Sequence, residues 1–178
     1  FMSSGAVMEF NGGIIKNGTA GNQGGNIFMD GTAELIIDGG KIQGGQTLGK
    51  GKNGGSLYVG TKAKVTMKRG SITGGISRNA GGNVYINGDF TMTGGYISGG
   101  KIVSWTTNEV SPDNASRNVF VVNGKFHMYG GKLVGGQVNR GGTLYVYKGS
   151  AKIYGGEITG GEATNGGNVS VNFGSLEL

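Results

Sequence analysis

The chain has 178 residues, 42 of them glycine, with one proline, no cysteine and a formal charge of +6. That length fits one domain spanning 1–178, the missing cysteine excludes a disulfide or thiolate-metal framework, and the glycines follow no collagen triplet. No apolar run approaches the roughly 18 residues of a membrane helix, so no membrane span is expected, and Phe1-Met2-Ser3-Ser4 has no basic-then-apolar secretion signal.

Asn26, Ser56, Asn83, Asn118, Thr143 and Asn168 each open a similar unit, at intervals of 30, 27, 35, 25 and 25 residues. Recurrence in that range is the mark of stacked repeats. Each unit holds three short runs of alternating character separated by glycines, the pattern of strand, corner and strand. The expected fold is all-β: a parallel β-solenoid of about seven three-stranded coils.

The first runs read Ile27-Phe28-Met29, Leu57-Tyr58-Val59, Val84-Tyr85-Ile86, Val119-Phe120-Val121, Leu144-Tyr145-Val146 and Val169-Ser170-Val171. Alternate side chains point to opposite faces of a strand, so the aliphatics should face in and the central residues out. The second runs place Met8, Leu35, Val65, Phe90, Phe126, Ala151 and Leu176 inside. A further inward column is Phe10, Ile37, Met67, Met92, Met128, Ile153 and Leu178. The third runs supply Ile15, Ile42, Ile72, Ile97, Leu133 and Ile158. Variable loops follow the third run, the longest being 101–115, which carries Trp105 and Pro112. The first coil lacks a recognisable first strand and the chain stops inside a second strand. The solenoid is therefore expected to have uncapped ends and to be cut from a longer repeat chain.

Two columns are candidates for function. Phe28, Tyr58, Tyr85, Phe120 and Tyr145 form an outward aromatic line that, with Trp105, would either bind sugar rings or pack against another rod; alternatively the rings stack on one another and stiffen the sheet. Asn26, Asn83, Asn118 and Asn168, with Ser56 and Thr143 substituting, read as a structural polar ladder at the corner before the first strand. No catalytic set is expected. Glu9, Glu34, Asp38, Asp89, Asp113, Glu157 and Glu162 do not converge, and His127 has no second histidine or cysteine for a metal, so no cofactor or metal is expected. Lys62, Lys64, Lys68 and Arg69 near Lys50 and Lys52 read as a solvated surface, with no nucleic acid as partner. The triplets at Asn17, Asn114 and Asn168 are N-glycosylation acceptors only in a host that glycosylates secreted proteins.

GGNVYINGDFTMTGGYISGG at 81–100 and GGTLYVYKGSAKIYGGEITGG at 141–161 resemble the glycine-rich right-handed parallel β-helix repeats of large bacterial surface proteins, of the adhesin-like wall and, more distantly, autotransporter types. The resemblance implies a right-handed coil, an extracellular or cell-surface location, and work as a structural or adhesive rod that associates with copies of itself end to end or side by side. The alternative is a carbohydrate-binding module for a polysaccharide or surface glycan. A polysaccharide lyase or hydrolase is the remote one, since the cleft residues of pectate-lyase-like enzymes find no match.

Overall fold

In the computed structural model, residues 1–103 and 118–178 are described, with 137–140 described by backbone alone. The chain is a parallel β-solenoid of about six turns, and no α-helix occurs among the described residues. At the strand spacing of parallel sheets the stack is roughly 30 Å long.

The first face is a six-stranded sheet of Ile27–Met29, Leu57–Val59, Val84–Ile86, Val119–Val122, Leu144–Tyr147 and Val169–Asn172. Its register pairs Phe28 with Tyr58, Tyr58 with Tyr85, Tyr85 with Phe120 and Phe120 with Tyr145. Like positions therefore lie over like positions. The second face pairs Met8, Leu35, Val65, Phe90, Phe126, Ala151 and Leu176 in one column. The third aligns Ile15 with Ile42 and Ile72, then Ile97, Leu133 and Ile158. Inward residues of the middle coils, Leu57, Ile72, Met92, Ile97, Val121 and Phe126 among them, are fully buried. Each such side chain removed from water contributes about 1.5–3 kcal/mol.

Glycine pairs at the corners meet two different needs. Gly81 has φ +61°, a conformation that disfavours a side chain, whereas a Cβ on Gly55 would run into the carbonyl oxygen of Gly82 one coil on. In the pairs before the first face the first glycine turns the chain and the second lets the next coil close on it, whereas after the second face it is the second glycine, as Gly95 at φ +87° and Gly131 at φ +90°, that takes the turn.

Three features depart from the three-run reading. A fourth short ladder, Thr19–Ala20, Gln46–Thr47, Ile76–Ser77 and Lys101–Ile102, occupies what reads as loop. Its inward Thr47, Ser77 and Ile102 are fully buried. Second, the first coil does begin a first strand: Met2 bridges Met29 in parallel, donating its N–H to the Phe28 carbonyl and accepting from Asp30 N–H. Third, Leu178, assigned to the inward column, is 88% exposed at the last residue of the chain. The loop expected at 101–115 begins with the strand Lys101–Ile102, and its Trp105, Pro112, Asp113 and Asn114 lie outside the described residues.

Candidate functional site

The aromatic column forms because the residue between two inward aliphatics points out at every first-face strand. Phe1, Phe28, Tyr58, Tyr85 and Phe120 make an unbroken stack, with ring centroids 5.5, 5.1, 5.2 and 5.3 Å apart and planes within 15° of parallel. Phe1, not assigned to the column from sequence, extends it by one ring. The order changes at Tyr145, which meets Phe120 edge-on at 73°. Tyr147 stands 6.5 Å from Phe120, at 28°, and takes up the stacked position beside it.

This geometry decides what the column offers a ligand. A sugar ring binds an aromatic face, and the faces of Phe28, Tyr58 and Tyr85 are occupied by their neighbours. Only ring edges and phenol hydroxyls face outward. Phe28, Tyr58 and Tyr85 are half-buried, while Phe120 and Tyr145 are buried in a small cluster with Ala80, against which Tyr85, Val122 and Tyr147 pack. Alternation gives the side of the sheet on which a ring stands, not what covers it. Burial pushes the Tyr85 phenol up to about 12, helped by the neighbouring Tyr58. Tyr58 is raised for the same reason, against a hydrogen bond from Asn87.

Ser170 occupies the next position of the column and, being small, fills no ring-sized space. An open depression of about 290 Å³ lies there, lined by Tyr145, Asn165, Ser170, Val171 and Asn172. Asn172 Nδ2 donates to the Tyr145 hydroxyl across it at 3.2 Å.

The asparagine column works as a set of corner clamps. Asn26 Oδ1 accepts from Gly18 N–H at 2.7 Å, and its Nδ2 donates to the Gln43 carbonyl of the next coil at 3.0 Å. Asn83 does the same with Gly75 N–H and the Ser98 carbonyl, both at 2.7 Å, and Asn118 with Gly100 N–H and the Val134 carbonyl. Asn168 accepts from Gly161 N–H at 2.8 Å. Most of these bonds go to backbone, so the column is less an amide-on-amide ladder than a row of side chains tying the end of one coil to the third strand of the next. Thr143 reaches the Gly135 carbonyl at 3.0 Å. The buried hydroxyl of Ser56 finds no hydrogen-bond partner among the described residues.

Charges also pair along the axis. Lys64 meets Glu34, Lys68 and Arg69 meet Asp38, Lys132 meets Glu157 and Lys152 meets Glu177, each across one coil step. Three of the four basic residues clustered in the third coil are thus paired with carboxylates of the coil before. The Arg69 guanidinium holds the Asp38 carboxyl below its usual range. His127 is half-buried on the second face, in register between Thr91 and Lys152. No group of three or more His, Cys, Asp or Glu residues that would hold a metal occurs among the described residues, nor does a helix long and apolar enough to cross a membrane.

A second aromatic pair went unread in the sequence. Tyr129 and Tyr154 stack at 4.8 Å and 18°, and stand 52% and 54% exposed at the corner after the second face. The signal is present as Met128-Tyr129-Gly130-Gly131 and Ile153-Tyr154-Gly155-Gly156, an apolar residue, tyrosine and glycine pair repeated 25 residues apart.

Compared with protein-family models, with curated proteins and with solved structures, the chain finds no match in any of the three.

Proposed function

We propose that this chain is a non-catalytic structural or adhesive rod working at the cell surface or outside the cell. The observation that carries the reading is the direction of its side-chain interactions. Stacked rings, amide clamps and ion pairs all join one coil to the next along a single axis. Repeat stacks of this kind derive their stability from such nearest-neighbour terms, and each added term stiffens the stack. Association of rods with one another is part of the proposal. Electron microscopy of the purified chain at several concentrations tests it: straight particles that associate as concentration rises support it, and isolated compact particles throughout count against it.

Glycan binding is the second reading, favoured by the depression beside Ser170. A phenol hydroxyl, a serine and two asparagine side chains around an open hollow match the polar groups of a sugar. Retention on immobilised glycans that is lost in Ser170→Tyr, a substitution that continues the ring column into the hollow, would establish it. Release of new chain ends from a neutral or acidic polysaccharide would overturn both readings in favour of an enzyme. The carboxylates such an enzyme would use are in part engaged already, Glu34 and Asp38 pairing with bases of the following coil and Glu157 with Lys132 of the coil before.

A further inference from the structure

We infer that Tyr129 and Tyr154 form an oxidative cross-linking site, at which one-electron oxidation joins two successive coils through a carbon–carbon bond between the rings. The inference is independent of whether the rod is structural or binds glycans.

The placement follows from the sheet register. Met128 pairs with Ile153, and the backbone N–H of Tyr154 donates to the Met128 carbonyl at 2.7 Å, so the following tyrosines stand one above the other. Their centroids are 4.8 Å apart with planes 18° from parallel. The unpaired electron of a phenoxyl radical occupies π lobes perpendicular to the ring, concentrated on oxygen and the ortho carbons. Face-to-face rings present those lobes to each other. Exposure of 52% and 54% admits an external oxidant, and the glycine pair after each tyrosine leaves the corner unencumbered by side chains as the new bond draws the rings together.

The chemistry balances with a peroxidase-class oxidant and hydrogen peroxide. Each phenol loses one electron and its hydroxyl proton, giving two phenoxyl radicals. Their ortho carbons couple, and each coupled carbon then loses its hydrogen as the oxygen regains one, restoring both aromatic rings. Net, two hydrogen atoms leave the pair and one hydrogen peroxide is reduced to two waters.

Other tyrosines are worse placed. Tyr58 and Tyr85 stack at 5.2 Å but are half-buried within a longer column, and burial there opposes loss of the phenol proton. At the exposed pair, no longer column encloses the two rings, and each is about half open to solvent.

The test treats the full chain, at high dilution, with a haem peroxidase and hydrogen peroxide, using free tyrosine as a positive control for the oxidant. The expected product is a monomer lighter by two hydrogen atoms, with dityrosine fluorescence. Trypsin cleaves after Lys125, Lys132 and Lys152, so 126–132 should be recovered joined to 153–178. Tyr129→Phe and Tyr154→Phe should each abolish that product while keeping the ring stack, and Tyr96→Phe should leave it unchanged. A cross-link that survives Tyr129→Phe, maps to Tyr58 and Tyr85, or forms only between molecules would overturn the inference. So would an uncoupled chain under conditions that couple free tyrosine.

Discussion

Asn83 donates from Nδ2 to the Oδ1 of Asn118 at 2.9 Å, across one step of the stack and with both residues fully buried. Asn83 also holds Gly75 N–H and the Ser98 carbonyl, so one side chain connects the corners of successive coils. Truncating it strands buried donors and acceptors on both sides. Asn83→Ala is expected to cost about 2–4 kcal/mol, taking a lost buried hydrogen bond and an orphaned partner together, measured as a fall in the urea midpoint at unchanged slope.

Ser56 stands in the same column without that connection, its hydroxyl buried and without a partner among the described residues. An asparagine there has the Gly45 N–H and the Thr73 carbonyl in register with the groups that Asn83 binds. Ser56→Asn is expected to stabilise by about 1 kcal/mol, and Ser56→Ala to be neutral or mildly stabilising. Thermal melts of both beside Asn83→Ala check the contrast. Equal losses at 56 and 83 would show that the column serves packing alone.

Ile97 is fully buried on the third face between Ile72 and Leu133. Ile97→Ala is expected to cost about 2–5 kcal/mol, from lost transfer energy and the cavity it leaves. Ile97→Asp should prevent folding. An unchanged thermal midpoint for Ile97→Asp would contradict the register itself.

Asp38 gives the stack an acid-sensitive contact. Its folded carboxyl is held below the unfolded value, chiefly by the hydrogen bond from Arg69. The contribution is therefore fully present above the unfolded value near pH 3.9 and is lost as pH falls through the lower folded value. Asp38→Asn should flatten the decline in melting temperature below about pH 4. At neutral pH and moderate salt it should change little, because exposed pairs are screened.

Much of this architecture was legible because one coil constrains the next. Ile27, Leu57, Val84, Val119 and Leu144 could be read as inward from alternation alone, and repetition across coils made each assignment support the others. The fourth ladder escaped because two residues such as Gln46–Thr47 are too short to show a period, and its buried members include Thr47 and Ser77. The asparagines declared a column, but their partners are mainly backbone groups such as Gly75 N–H, which sequence does not single out. Outward Phe120 and Tyr145 are buried by tertiary packing that alternation does not register. For Phe28, Tyr58 and Tyr85, sequence left stacking and sugar binding open, and interplanar angles of 7° and 9° show that their faces are turned toward each other.

The most direct test of the rod account is electron microscopy of the native chain over a range of concentrations, combined with its solution scattering. The expected result is straight particles of uniform width that associate as concentration rises, with fibre diffraction at the ~4.8 Å spacing of stacked strands along their axis. Compact, unassociated particles at every concentration, together with turnover of a polysaccharide, would contradict the account.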